Sequence, residues 1–338
     1  MKKTSSFKCR LCESQKYSEI LNLGDMSLTG VFVKEGDKVP KSQLALNFCE
    51  NCSLVQLSET HDKNEMFGNF YMYRSSITDT MKNHFNEIVD ISKTWLDDLN
   101  GTNVLEIASN DGTLINMLNK YDLKTTAIDP SAEQYFYNYP DETDVYVDFF
   151  DKDFNNKFEI KSKFDLIISL AVLYDVDNPV SFAKTIYNNL DDNGIWITEQ
   201  TSSLTLLDTN AYDSICHEHL TYLSYKTLNK ICQLAGLRII DAYKNDINGK
   251  SFVLVITKNG NSLEPNLDNI KKYVDYENSY GPDSLKKWAM FEDFVINHKT
   301  DLKKIIEDLK IKGPVFGYGA STKGNVLLQY LGITKKDL

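Results

Sequence analysis

No apolar run in the 338 residues approaches the roughly 18 that a membrane-spanning helix needs, and no apolar stretch of signal-peptide length follows the N-terminal lysines. No membrane partner is expected, and the chain reads as soluble and cytoplasmic. Positive charge is also short. Lys plus Arg number 37 against 48 Asp plus Glu, a formal net charge of -11. The broad basic footprint of a nucleic-acid binder is missing, so nucleic acid is not an expected partner either. Charged residues at 25% and apolar residues at 42% exclude the disordered and fibrous classes. What remains is a globular protein long enough for two or three domains.

Cysteine is present six times, and four of the six fall as Cys9/Cys12 and Cys49/Cys52. In a reducing compartment such Cys-x-x-Cys pairs point to metal rather than disulfides. A two-residue spacer lets both thiolates of a tight turn face one ion, and two such knuckles complete a tetrahedral four-thiolate site. With no open coordination position, that zinc would be structural. The spacer between the knuckles is long for a zinc ribbon, so an insertion folded out around Gly24 to Lys41 is expected, with short strands at Asn47–Cys49 and Ser53–Leu57.

Beyond a helical pattern carrying Met81, Phe85, Ile88, Val89, Ile91 and Trp95, the run Asn103-Val-Leu-Glu-Ile-Ala-Ser reads as a buried strand. Asn110-Asp-Gly-Thr is then a turn, and Leu114 onward a helix. This is the opening βα unit of a nucleotide-binding sheet. A second strand ends at Asp129-Pro130, where a carboxylate suits a ribose diol. The full Gly-x-Gly-x-x-Gly of a dinucleotide site is missing: Ala108 and Asn110 stand where glycines are expected, and only Gly112 is present. Glu106, Asp111 and Asp129 repel pyrophosphate but suit the sulfonium and ammonium of S-adenosylmethionine. The expected cofactor residues are Glu106, Ala108, Ser109, Asn110, Asp111, Gly112, Asp129 and Pro130. Phe164–Ser169, a helix opened by Pro179, and a strand released at Gly194 continue the alternation of a parallel sheet.

Two of the five histidines sit in Cys216-His217-Glu218-His219. The spacing is not that of a zinc-protease helix, yet histidine beside glutamate forms a tunable acid–base pair. From about Asp246 a second lobe is expected, with a strand after Gly249, an amphipathic helix over 286–309 and a strand at Pro314–Gly319. The glycines and lysine of Gly317-x-Gly-x-x-x-Lys323-Gly324 then offer backbone N–H groups and a charge, without Walker spacing. Gly319, Ser321 and Lys323 are the candidate substrate contacts.

Four motifs taken together, the two knuckles, Glu106-Ile-Ala-Ser-Asn-Asp-Gly-Thr, Cys216-His-Glu-His and Gly317-Tyr-Gly-Ala-Ser-Thr-Lys-Gly-Asn, resemble the zinc-containing, S-adenosylmethionine-dependent sugar C-methyltransferases, related to the deoxysugar 3-C-methyltransferases. The resemblance implies a class I, Rossmann-like α/β methyltransferase sheet with an N-terminal zinc-ribbon module and a C-terminal α/β lobe, the third unit of the chain, expected to be either short or truncated. The expected boundaries are 1–65, 66–245 and 246–338. It implies a nucleotide-linked keto-sugar deprotonated beside its carbonyl and methylated through the enolate, with His219 and Glu218 matching the family's catalytic pair and Tyr71 or Tyr73 its N-terminal tyrosine. His217 and Asp175 complete the candidate catalytic set. Asp175 stands where the sugar C-methyltransferases place a histidine, and an ionised carboxylate cannot donate a proton to an oxyanion. A monomer or homodimer is expected. Three alternatives stay open on sequence: oxygen as the methyl acceptor, an NAD-dependent sugar-nucleotide reductase or epimerase, and a non-catalytic zinc-ribbon interaction protein.

Overall fold

The computed structural model describes residues 7–31, 38–67, 73–319 and 322–338. In chain order its elements are β1 (Tyr17–Ser27), β2 (Lys41–Cys49), β3 (Val55–Leu57), α1 (Lys63–Phe67), α2 (Asp79–Leu96), β4 (Asn103–Ile107), α3 (Thr113–Leu118), β5 (Lys124–Ile128) and β6 (Asp144–Tyr146). There follow α4 (Phe154–Lys157), β7 (Phe164–Leu170), α5 (Pro179–Asn189), β8 (Leu190–Thr201), α6 (Ser203–Thr209), β9 (Thr221–Tyr222), α7 (Tyr225–Ala235), β10 (Leu237–Asn245), β11 (Ser251–Lys258), α8 (Leu267–Tyr280), α9 (Leu285–Lys310) and α10 (Thr322–Leu331). None of the described helices is long and apolar enough to cross a membrane.

These elements gather into two compact units, each discontinuous in sequence. The grouping cuts across the three consecutive segments expected from the sequence. One unit comprises 1–66, 202–224 and 277–338; the other comprises 67–201 and 225–276.

The larger unit is built on a mixed, mostly parallel sheet. Its seven strands run in the order β10-β11-β8-β7-β4-β5-β6. The pairs β4–β5, β4–β7, β5–β6 and β7–β8 are parallel, while β11 lies antiparallel between β8 and β10. The chain leaves β4 towards β5 and β6, then returns on the other side through β7 and β8. The switch point therefore falls between β4 and β7, and an open sheet of this kind receives its ligand at the carboxyl ends of such strands. Central strands covered on both faces read as apolar runs: Val104, Leu166, Ile168, Ile195 and Ile197 join Phe85, Ile88 and Val89 of α2 in one core. Thr78 caps α2 through its side chain, and Asn178 with Pro179 starts α5 in the same way.

Three expectations are corrected here. The strand after Gly249 is β11, an inserted strand of the main sheet and not the opening of a separate lobe. Gly194 does not release the chain from a helix: α5 ends at Asn189 and Gly194 lies within β8. Its role is close approach, since a Cβ there would stand 2.9 Å from the carbonyl oxygens of both Phe164 and Asp165. Pro314–Gly319 forms no strand; Phe316 and Tyr318 are exposed in an extended stretch before α10.

The smaller unit is built on the antiparallel sheet β1-β2-β3-β9. Of the insertion expected around Gly24 to Lys41, residues 32–37 lie outside the described residues. Gly24 lies inside β1 and Lys41 opens β2, and these two strands pair as a bulged antiparallel ladder. Its apolar face, with Leu21, Leu44, Leu46 and Leu57, packs in one cluster with Tyr212, Tyr222, Trp288 and Phe291. Trp288 is fully buried and its indole N–H donates to the Pro282 carbonyl at 2.8 Å.

Gly194→Ala is expected to destabilise the sheet unit by about 1–3 kcal/mol through overpacking, lowering its thermal midpoint by several degrees. An unchanged midpoint in calorimetry would show that β7 and β8 do not constrain each other there.

Candidate functional site

The two knuckles fold alike. The Glu13 N–H donates to the Cys9 carbonyl at 2.9 Å and the Ser53 N–H to the Cys49 carbonyl at 2.8 Å. Both closing residues, Glu13 and Ser53, have positive φ. These turns bring the four sulfurs within 4.8 Å of one another. Cys9 and Cys52 approach to 3.5 Å, as do Cys12 and Cys49. Four sulfurs about 2.3 Å from a central ion stand roughly 3.8 Å apart, so the donor set fits tetrahedral zinc. Without a cation the thiols cannot ionise together: the bond from Cys52 holds the Cys9 thiol down to about 5, while Cys52 is pushed up. Among the described residues no other group of His, Cys, Asp or Glu is close enough to hold a metal.

At the carboxyl end of β4, in the larger unit, the expected cofactor residues form one connected turn. Ala108 and Asn110, which stand at missing-glycine positions, both take positive φ, as does Gly112. The chain therefore adopts the glycine-rich turn without all of its glycines, at a cost of order 1–2 kcal/mol for alanine and less for asparagine. Gly112 is required twice over, because a Cβ there would also stand 2.9 Å from the Tyr139 ring. The Tyr139 hydroxyl meets Ser109 Oγ and the Asn110 carbonyl, each at 2.8 Å. The Asn110 N–H donates to Asp129 Oδ2 at 2.9 Å, and Ser131 donates to Oδ1 through both its N–H and Oγ at 2.6 Å. Asp129 is thus locked at the end of β5, and Pro130 enters the turn beyond it.

Three buried acids share this corner. Asp111 accepts from Thr113 Oγ1 at 2.6 Å and from the Ser76 N–H at 3.1 Å, with Arg74 Nε 3.7 Å away. Burial, and then the neighbouring charges of Asp129 and Asp111, holds the Glu106 carboxyl well above the usual range. One Glu106 oxygen accepts from the Ile115 N–H at the start of α3, while Oε2 is buried with no hydrogen-bond partner. Burial likewise raises Asp129. An orphaned carboxylate oxygen among acids fits a cationic ligand and disfavours a pyrophosphate.

Other residues of the same unit close this edge. Tyr73 is half exposed, its carbonyl accepts from Asn110 Nδ2 at 3.0 Å, and its hydroxyl is raised by burial, then by Asp111 and Glu199. Asp175 ends a short 3-10 turn (Leu173–Asp175) just after β7, across the switch point from the Ala108–Gly112 turn. Tyr71 lies outside the described residues.

Sequence reasoning missed His84. It is buried on α2, with Nε2 2.7 Å from Glu199 Oε2, while Asn245 Nδ2 donates to the same oxygen at 2.7 Å. Burial is the largest single influence and lowers this imidazole, but the bond and charge of Glu199 together with those of Glu87 raise the group overall. The available signal was position: His84 falls one turn before Ile88 on the apolar face of α2.

The Cys216–His219 segment belongs to the smaller unit, as a loop with a turn at His217–Glu218. Burial, and next His61, lowers His217 to about 4; its ring lies 4.9 Å from that of His61. Burial also lowers His219 to about 4, against a hydrogen bond to the Ser214 backbone, with Lys323 adding in the same direction. Both imidazoles are therefore neutral at pH 7. Burial raises Glu218, against hydrogen bonds from Thr29 and Cys216. Of the candidate substrate contacts, Lys323 is close enough for its charge to act on His219, a proximity the sequence did not indicate, and Gly319 is exposed. Ser321 lies outside the described residues.

Three family models match in succession: a zinc binding domain over residues 9–67, a methyltransferase domain over 79–242 and a C-methyltransferase C-terminal domain over 246–338. The C-methyltransferase NovU of Streptomyces niveus is 21% identical over 98% of this chain and 79% of its own length. Among solved structures, the 1,6-didemethyltoxoflavin-N1-methyltransferase of Burkholderia thailandensis is similar at a TM-score of 0.42 and 13% identity, over 53% of this chain and 80% of that one. The N-methyltransferase NodS of Bradyrhizobium japonicum is similar at 0.41 and 14%, over 55% and 91%. The successive matches decide against the dinucleotide reductase and the non-catalytic readings.

Purified protein is expected to carry about one zinc per chain by elemental mass spectrometry, and Cys49→Ser to lose it together with the cooperative melting of the smaller unit. Full zinc content in that variant would remove the four-thiolate assignment. For His84, whose folded value is raised, the stabilisation is complete below the unfolded value of about 6.5 and is lost as pH rises through the folded value. Wild type should therefore exceed His84→Gln in thermal midpoint most at pH 6 and least at pH 9; a pH-independent gap would contradict the charged pair.

Proposed function

We propose that the chain is a zinc-containing, S-adenosylmethionine-dependent sugar C-methyltransferase, and that it methylates a nucleotide-linked keto-sugar at the carbon beside its carbonyl. The observation that carries this reading is the acidic turn at the end of β4, where Glu106 leaves a buried oxygen without a partner. When bound there, S-adenosylmethionine supplies a methyl group made electrophilic by its sulfonium charge.

Within the turn, Glu106, Asp111 and Asp129 supply negative charge and hydroxyl acceptors to the cofactor. Gly112 and the left-handed Ala108 and Asn110 let backbone approach it. His219, whose imidazole burial holds neutral, stands in the position of the family's base and takes the proton next to the substrate carbonyl. Glu218 supports the imidazolium that forms, and Lys323 offers its charge to a substrate phosphate. Tyr73 donates to the developing oxyanion. The four cysteines would hold zinc in a closed coordination sphere that leaves no position for chemistry.

Asp175 favours a second reading. With a carboxylate instead of a histidine after β7, one donor to an enolate oxygen is missing, and a sugar hydroxyl is an acceptor that needs a base alone.

Calorimetry is expected to show micromolar binding of S-adenosylmethionine, weakened about 10–100-fold by Asp129→Ala through loss of a charge-assisted pair of hydrogen bonds. Incubation of a panel of nucleotide 4-keto sugars with methyl-labelled cofactor should then yield a product, read by mass spectrometry, that has lost its α-hydrogen. A labelled product retaining that hydrogen would establish oxygen as the acceptor. Unchanged cofactor binding in Asp129→Ala would overturn the cofactor assignment.

A further inference from the structure

Thr29 follows β1 in the stretch between the two zinc knuckles and is fully buried. Nothing in its residue type or position marks it in the sequence, yet four groups converge on it within the smaller unit. The Thr29 N–H donates to His217 Nδ1 at 3.2 Å, and the His217 N–H donates back to Thr29 Oγ1 at 3.0 Å. Thr29 Oγ1 donates to Glu218 Oε2 at 3.1 Å. Asn325 Nδ2, from α10, donates to the Thr29 carbonyl at 3.0 Å. Two residues before Thr29, the Ser27 N–H donates to Gln329 Oε1 of the same helix at 2.7 Å, and Gln329 Nε2 donates to the Ser27 carbonyl at 3.2 Å.

The proton count assigns each donor. His217 Nδ1 already accepts the Thr29 backbone N–H, so in the neutral ring the proton sits on Nε2, which faces the Ser42 carbonyl at 3.4 Å. Nδ1 can then only accept, and His217 is no acid towards Thr29. Thr29 Oγ1 also stands 3.1 Å from His217 Nδ1, but that nitrogen has one lone pair and the Thr29 backbone N–H engages it, so the single hydroxyl proton of Thr29 is left for Glu218 while its lone pairs take the His217 backbone N–H. The space is equally determined. A Cβ on Gly30 would stand 1.8 Å from Glu218 Oε1 and 2.4 Å from its Cδ, so the carboxylate lies where any other residue would put a side chain.

We propose that Thr29 is the positioning residue for Glu218, with Gly30 making room for the carboxylate, His217 serving as a fixed acceptor and Asn325 anchoring from α10. The stretch between the knuckles is thus part of the acid–base machinery, and the late Lys323-Gly-Asn325 motif contributes through its asparagine. This rests on the reading of Glu218 as part of the acid–base pair, but its geometry is testable without turnover. Around Glu218 the other titratable groups are Cys216, His217 with His61 and Glu59 behind it, and His219 with Lys323.

The test is a carbon-detected NMR titration of the Glu218 carboxyl in the full zinc-loaded chain, its signal assigned by disappearance in Glu218→Gln. Loss of a donor to the ionised form raises its midpoint, so Thr29→Val should move it up by about one pH unit and Thr29→Ser should restore it. Gly30→Ala, which pushes the carboxylate off Thr29, should give the same upward shift and serves if Thr29→Val does not fold. A midpoint unmoved in whichever of these two variants folds overturns the proposal. With the acceptor identified from the sugar panel, the acid limb of kcat should move by the same amount in Thr29→Val at unchanged KM for S-adenosylmethionine. Full turnover in Glu218→Gln would sink the acid–base reading itself while leaving the titration result to stand on its own.

Discussion

An ionised group withdrawn from water costs several kcal/mol unless something of opposite sign, or a set of directed hydrogen bonds, replaces the water. This molecule meets that constraint in three ways. His84 and Glu199 answer each other, with Asn245 completing the carboxylate. Asp129 is answered by the peptide and hydroxyl donors of its own corner. Glu106 and the four cysteines are not answered from within the chain, and both places fit a cation from outside, organic in one case and metallic in the other. The contrast separates structural burial from functional burial. The pair that is internally complete joins α2 to β8, whereas the incomplete ones fall where ligands are expected.

The parts of the fold that could be read from the chain are those set by local periodicity and local chemistry. The strand-turn-helix over 103–118 carries its own signal, and so do the two knuckles, because each is complete within a few residues. What was misread depends on distant partners. A strand buried on both faces, such as β11, has the same apolar run whether it opens a new lobe or is inserted antiparallel between β8 and β10. Gly194 looked like a helix stop because glycine commonly is one, and only the carbonyls of Phe164 and Asp165 show why it is needed.

The site divides along the same line. Residue types that advertise their chemistry, the cysteines, the acids at 106, 111 and 129, and the His-Glu-His triplet, were legible. Residues that act by holding others were not. His84 looks like one more polar residue in a helix, and Thr29 like an ordinary strand-end threonine; their partners lie 115 and 188 residues away. Ala108 and Asn110 counted against a glycine-rich turn by identity, yet the backbone takes that turn at both positions. The reason is physical: the required conformation is disfavoured for non-glycine residues, not forbidden, and the tyrosine and aspartate bonds around it hold the chain there.

The closed knuckle turns have a further consequence for chain entropy. Each is closed by its own backbone bond, and an ion shared by the two joins them and ties Cys12 to Cys49 as a clip. The segment inside that closed loop is β1, β2 and the span between them. Restricting the loop lowers the number of conformations open to the unfolded chain, and Thr29 and Gly30 are among the residues whose freedom is reduced. A metal that performs no chemistry thereby narrows the search for the one arrangement in which a buried carboxylate can be held.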